Sequence, residues 1–489
     1  MSSTRKWTFR AASVLLGLST FVLFEALCRM TGWGAESPST GHYAEFAAVR
    51  PLFVLDPESG RYNVAGNRRL YFSKESFAAS KPDHEFRIFV FGGSTVQGRP
   101  FSIPTSFTTF LEMALQQAQP DVHWEVVNCG GISYASYRLL PVMRECLAYD
   151  PDLYITCTGH NEFLEFLTYS QVSQSNAVSS GYSWLSTLNS FHLAEQILPQ
   201  YSELDGEVEG AKDRLLPEEV DAILDHDGGL DAYHRDVLEP DRIANGFRRN
   251  LKQMVTMTRQ ANVPLVLIQP PSNIRDTPPF KSQFSEASSP ELRDSITSRL
   301  KKANGLLESD SSAAIRVLQS VTSDDCEFAL GWYQLGRALV YANRPDEAKT
   351  ALIAARDEDV CPLRMTSQLA AVMFDVVEGY DVPFLAVEDV LVRKSRNGLV
   401  GDATLVDHIH PSFRSHQEIA IALTKLMSRL ELVQYSNDEW EAAASGQLEE
   451  YIQTLDDMYF LRGRQTLDVL RAWTEGRADG PPLPTEVQR

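Results

Sequence analysis

Phe86-Arg87-Ile88-Phe89-Val90-Phe91-Gly92-Gly93-Ser94-Thr95 is the stretch from which the fold can be read. A short, apolar, β-rich run leads directly into two glycines, the pattern of a buried strand that ends in a tight turn. Gly92 and Gly93 allow a bend that other residues resist, and Ser94 stands where the strand ends and a helix begins. Similar runs follow at Trp124–Asn128, Leu153–Thr158, Val263–Gln269 and Val382–Val387. Helix-like segments separate them, among them Phe107–Gln117, Tyr137–Ala148 and Ile243–Gln260. Continuous apolar strands alternating with helices predict an α/β domain with a doubly wound parallel sheet covered on both faces.

A serine at the carboxyl edge of such a sheet is a weak signal until a base accompanies it. Asp407-His408-Ile409-His410-Pro411 lies after the last predicted strand. Imidazole titrates near neutrality and can take a hydroxyl proton, while a carboxylate on its other nitrogen fixes the tautomer. Asp407 and His410, three apart, can supply both parts from one loop; His408, directly beside the aspartate, is the alternative base, and His416 reads as a helix residue. Acyl transfer also needs donors for a developing oxyanion. Two further strand ends offer them, Asn128-Cys129-Gly130-Gly131-Ile132-Ser133 and Gly159-His160-Asn161-Glu162. Neither G-x-G-x-x-G nor G-x-x-x-x-G-K-[ST] occurs, which argues against a nucleotide site.

These four blocks, in this order, resemble the SGNH (GDSL-like) hydrolases. The resemblance covers about residues 86–427 and implies a flavodoxin-like three-layer fold, Ser94 as nucleophile, His410 as base and Asp407 as its orienter. It also implies Asn161 and backbone amides as the oxyanion hole, with no cofactor and no metal. The first block reads Gly-Gly-Ser-Thr rather than Gly-Asp-Ser-Leu and keeps the serine. Counted without a gap, the family's oxyanion glycine falls on Ser133; Gly131 matches only with a shift. Glu162 replaces the usual Asp and reads as structural.

The remaining organisation follows from composition. Residues 1–33 read as an N-terminal signal anchor and 34–85 as a lead-in that wraps the main domain. Residues 86–287 form the first part of the hydrolase domain and 372–430 its last part. An insertion at 163–240 follows a strand's carboxyl end, where a lid or substrate wall would sit. Its Asp225-His226-Asp227 run reads as an acidic turn rather than a metal site. A helical insertion at 288–371 carries Trp332-x-x-Leu335-Gly336, Ala348, Leu352 and Ala355 at tetratricopeptide offsets, with Ala314 and Leu318 one period earlier and Leu369 and Ala370 one period later. There Trp332 is expected to fill the groove between paired helices, in a region open to a protein partner. Residues 431–489 read as amphipathic helices and a tail, with Trp440, Tyr451, Ile452, Leu455, Tyr459 and Leu461 packing on the main domain.

With 489 residues, 43% hydrophobic and 22% charged, the chain can build its cores without staples. A net charge of −20 repels phosphate backbones, and no basic patch offsets it, so nucleic acid is not an expected partner. Arg5, Lys6 and Arg10 precede the apolar run Ala11–Phe24, which continues past Glu25 to Cys28. Phe24-Glu25-Ala26-Leu27 is a poor cleavage site, which favours an uncleaved single-pass anchor, and the positive-inside rule then exports everything after about Gly32. An anchored member of the family looks bacterial, held in the inner membrane with its catalytic domain facing the periplasm. Export permits disulfides, and Cys326 and Cys361 are the pair that could form one, whereas Cys129 and Cys157 end buried strands. The expected activity is ester hydrolysis through an acyl-enzyme, on an O-acyl or O-acetyl ester of a small molecule, an envelope glycan or a lipid. An O-acyltransferase using the same residues and a non-enzymatic scaffold are the alternatives.

Overall fold

The computed structural model describes residues 51–164, 220, 222, 224, 229–235, 239–475 and 479, together with Ser19, Phe24, Glu25 and Leu27. The chain divides into two units: Pro51–Phe166 with Glu219–Arg489, described below, and Met1–Arg50 with Leu167–Glu218. Nearly all of the expected anchor helix and of the 163–240 insertion, and the whole Asp225-His226-Asp227 run, lie outside the described residues. Among the described residues no helix is long and apolar enough to cross a membrane.

Three short strands of the lead-in, β1 (Phe53–Asp56), β2 (Arg61–Val64) and β3 (Ser76–Ala78), form an antiparallel sheet. The central sheet consists of β4 (Glu85–Gly92), β5 (His123–Gly130), β6 (Leu153–Cys157), β7 (Leu265–Gln269) and β8 (Phe384–Ala386). Its order is β5-β4-β6-β7-β8 and every pairing is parallel. The chain therefore steps outward from β4 to β5 and returns to β4's other side with β6, which makes the carboxyl end of β4 the topological switch point where α/β sheets bind ligands. Three predicted strands shorten, β6 by Thr158 alone. Val263 N–H turns back to Thr258 O, closing the preceding helix, and Val387 already begins a helix.

Period-two alternation sorts the strand side chains between two cores. Ile88, Val90, Val126, Ile155, Val266, Ile268 and Leu385 face α2 (Phe107–Ala118), α11 (Phe413–Arg429) and α12 (Trp440–Thr454). Phe89, Phe91 and Tyr154 turn to the opposite face, where they form a ring cluster with Phe77 and Tyr149, and Tyr154 O–H donates to Met143 O of α3 (Ser136–Cys146). α3 packs in turn on α4 (Pro240–Gln260). Arg87 is fully buried at the start of β4, tied to Glu85, Tyr149 O and Ala78 O, so its charge is paired and its donors join sheet to lead-in.

The helical insertion forms two hairpins, α5 (Pro290–Leu306) with α6 (Ser311–Asp324) and α7 (Ala329–Tyr341) with α8 (Pro345–Asp357). Ala314, Leu318, Ala348 and Leu352 are all buried in their shared core. A Cβ on Gly336 would stand 2.6 Å from Leu352 Cδ2, so the missing side chain sets the approach of α7 to α8. Trp332 does not fill the groove. It is only partly buried, its indole N–H donates to Cys326 O at 2.8 Å, and the neighbouring Tyr333 takes the interior position. Nor does the stack continue, because α9 (Ser367–Tyr380), which carries Leu369, packs on α4 instead. Cys326 is exposed and Cys361 buried, and the two form no disulfide with each other.

α12 and α13 (Asp457–Glu475) dock as expected through Trp440, Tyr451, Ile452 and Tyr459, whereas Leu461 is exposed. Glu162 is a buried staple. It accepts Ser136 N–H and Oγ–H, both at 2.8 Å, and Asn250 of α4 donates to the same serine oxygen.

Two consequences can be measured. A Cβ on Gly130 would run into the backbone of Gln97, whereas exposed Gly446 inside α12 has nothing within 4 Å. Gly130→Ala is therefore expected to lose about 1–3 kcal/mol in urea unfolding, and Gly446→Ala to gain about 0.5–1 kcal/mol. Burial pushes the Glu162 carboxyl up to about 7. The folded state then holds a proton that the unfolded chain releases from about pH 4.5, so this contribution to stability is present in acid and lost as pH rises through about 7. The melting-temperature difference between wild type and Glu162→Gln is expected to move against the wild type from pH 5 to 8; a constant difference would contradict it.

Candidate active site

The turn after β4 places Ser94 at the first position of a one-turn helix, α1 (Ser94–Gln97), capped by Gly93 and closed by Gly98 with φ 88°. Space at this turn is scarce. A Cβ on Gly92 would collide with Cys157 O and Val96, and one on Gly93 would lie 2.6 Å from Asn161 Nδ2. Asn128 fastens β5 to the same turn, donating to Val96 O at 2.7 Å and Thr108 Oγ1 at 2.8 Å while accepting Gly130 N–H.

The structure brings Ser94, His410 and Asp407 into one chain of hydrogen bonds. His410 Nε2 lies 2.7 Å from Ser94 Oγ, and His410 Nδ1 lies 2.6 Å from Asp407 Oδ2. The other carboxylate oxygen accepts the backbone N–H groups of Ile409 and His410 at 2.9 and 2.8 Å. Burial alone would raise the Asp407 carboxyl. The His410 and His408 rings and these hydrogen bonds outweigh it and hold the group well below the usual carboxylate range.

His408 does not reach the serine. Its Nδ1 is 3.8 Å from Asp407 Oδ1, its ring packs edge-on against Phe280, and burial pushes its pKa down to about 4. His416 belongs to α11, where its Nδ1 accepts Phe107 N–H at the start of α2; burial pushes it down to about 3.

Of the two glycine-block candidates, Gly131 has spent its N–H on Gly92 O at 2.9 Å. Ser133 holds φ 62°, the left-handed region where a glycine is usual, and its N–H is engaged by none of the described residues. Asn161 is held by Tyr134 O, which accepts one N–H of its amide at 3.0 Å beside Gly93. A small cavity lies at Ser94. Gly93, Tyr134, Thr158, His160, Asn161 and Ile409 are among its walls.

Several contributors escape the motif reading. Tyr71 of the lead-in accepts Ile132 N–H and the Gln97 side chain through its carbonyl, and Arg68 donates to Tyr134 O–H, so the lead-in shapes the glycine block. Asn273, after β7, donates its side-chain amide to Asp407 O and Asp402 and its backbone N–H to His408 O. The buried Arg364, in the helical insertion between α8 and α9, donates to Asn273 O, Thr277 O and Pro278 O. Arg471 of α13 donates to Val406 O, adjacent to Asp407. None of these has a local signature; lone polar residues in loops become legible only once the chain has folded around them.

No protein-family profile matches the chain, and no curated protein matches it in sequence. Solved structures do match in shape. An α/β hydrolase enzyme from the metagenome of Lake Arreo is 13% identical over 71% of this chain and 96% of its own, with a TM-score of 0.32. A catalytic mutant of an acetylxylan esterase from Geobacillus stearothermophilus is 12% identical over 70% and 94%, with a TM-score of 0.29. A GDSL-like lipase from Bacteroides thetaiotaomicron is 8% identical over 72% and 93%, with a TM-score of 0.30. At such scores these structures are likenesses to this chain and nothing more. Its β5-β4-β6-β7-β8 parallel sheet, with Ser94, Asn161 and the Asp407–His410 loop gathered at one edge, resembles the SGNH hydrolases in fold.

Proposed function

We propose that the protein is a serine ester hydrolase acting on a short acyl ester. The observation that carries this reading is the unbroken chain from Ser94 Oγ through His410 to Asp407, at 2.7 and 2.6 Å. Ser94 Oγ attacks the ester carbonyl carbon while His410 Nε2 takes its proton; Asp407, kept ionised, stabilises the imidazolium. The oxyanion is received by the N–H groups of Ser94 and Ser133 and by the Asn161 amide. The carbon–oxygen bond to the alcohol then breaks, and His410 returns its proton to the departing alkoxide. Water attacks the acyl-Ser94 ester, gives its proton to His410, and the acid leaves as Ser94 recovers its hydrogen.

The small cavity at Ser94 supports an acyl group of acetyl size, and an acetylated glycan of the cell envelope is the substrate class we favour. Export through the Ala11–Phe24 segment belongs to the same proposal. It predicts that protease added to spheroplasts digests the domain; full protection would contradict export.

The test is hydrolysis of 4-nitrophenyl acetate by wild type and by Ser94→Ala, His410→Ala and Asp407→Asn, each checked by thermal melting. Wild type is expected to turn over and each folded variant to lose at least about 10³-fold in kcat. 4-Nitrophenyl octanoate is expected to be the poorer ester. A folded Ser94→Ala that keeps wild-type activity would overturn the mechanism.

A further inference from the structure

The cavity at Ser94 holds one donor that this chemistry leaves unused. His160 is 5% exposed, and its Nδ1 accepts Met365 N–H at 3.1 Å. A neutral imidazole that accepts at Nδ1 carries its proton at Nε2. Burial, reinforced by His408 and His410, pushes the His160 pKa well below the usual histidine value and keeps the ring neutral. Met365 is seated close by because Gly159, at φ 133°, has no side chain; a Cβ there would stand 2.8 Å from Met365 Sδ.

His160 Nε2 is buried and has no hydrogen-bond partner among the described residues. Among the described residues that share this condition, His160 is the one that lines the cavity at Ser94. A buried N–H without an acceptor is costly, and where one persists beside a reactive serine its acceptor is expected to arrive with the ligand. The proposed oxyanion donors, the N–H groups of Ser94 and Ser133 and the Asn161 amide, do not include it.

We propose that His160 is a substrate-binding residue whose Nε2–H donates a hydrogen bond to an ester oxygen of the bound substrate. This deepens the hydrolase reading and rests on it. The donor favours esters small enough to bring that oxygen into the cavity, and its contribution does not vary with pH over the working range, because the ring stays neutral.

Two substitutions separate this role from a packing role. His160→Asn retains an acceptor for Met365 N–H and lacks the distal donor, whereas His160→Gln carries an amide N–H to the position of Nε2. With 4-nitrophenyl acetate, kcat/KM is expected to fall about 10- to 100-fold in His160→Asn and to stay within about fivefold of wild type in His160→Gln, with the pH profile unmoved in both. The reverse order, or His160→Asn equal to wild type, would overturn the proposal while leaving the hydrolase reading intact. No Ser94-dependent turnover by wild type would overturn both. If either variant fails to fold, a crystal structure of the wild type with ethylboronic acid bound at Ser94 decides: a boronate oxygen about 3 Å from His160 Nε2 supports the proposal, and a separation beyond about 4 Å refutes it.

Discussion

Everything at this site depends on how closely three strand ends can approach one serine. β4, β5 and β6 deliver their carboxyl ends to the same point, and at that point the backbone must pass where side chains would stand. Gly92 passes against Cys157 O, Gly93 against the Asn161 amide and Gly130 against the backbone of Gln97. These absences let Asn161 lie beside the Ser94 turn and let Asn128 bind Val96 O across it. A parallel sheet supplies the convergence, since all its strands end on one edge, and the return of the chain to the other side of β4 opens the crevice there.

The other half of the site is a loop, and loops need external support to hold a side chain to a fraction of an ångström. The Asp407–His410 loop receives it from several directions. Asp407's own carboxylate closes a turn onto Ile409 and His410 N–H, Asn273 donates to its carbonyl, and Arg471 holds Val406. Arg364 carries this support back to the exit of the helical insertion. The helical hairpins are thus tied to the catalytic loop through a buried guanidinium, and they brace the site whether or not they also meet a partner.

Much of this was legible in the sequence because it is carried by local pattern. Apolar runs ending in glycine announce strands and turns, and the Asp-x-x-His spacing announces a carboxylate and an imidazole on one loop. Such local patterns single out Ser94, Asn161, Asp407 and His410, and the fold joins Ser94, His410 and Asp407 by hydrogen bonds. What pattern could not reveal was whatever depends on distant packing. Ser133 and Gly131 were indistinguishable until the fold showed which N–H was already engaged. Trp332 looked like a core residue because its type fits a repeat, yet Tyr333 occupies the interior. The supporting residues Tyr71, Asn273, Arg364 and Arg471 are ordinary polar side chains whose roles come only from the partners that folding gives them.

The claim on which the rest stands is that Ser94 is a nucleophile activated by His410. Intact-protein mass spectrometry after brief treatment with a fluorophosphonate tests it without reference to any natural ester. Activation predicts a single covalent adduct on Ser94 in the wild type, none in Ser94→Ala, and labelling slowed by at least about 100-fold in folded His410→Ala. Labelling of wild type at another residue, or at an unchanged rate in His410→Ala, would contradict it.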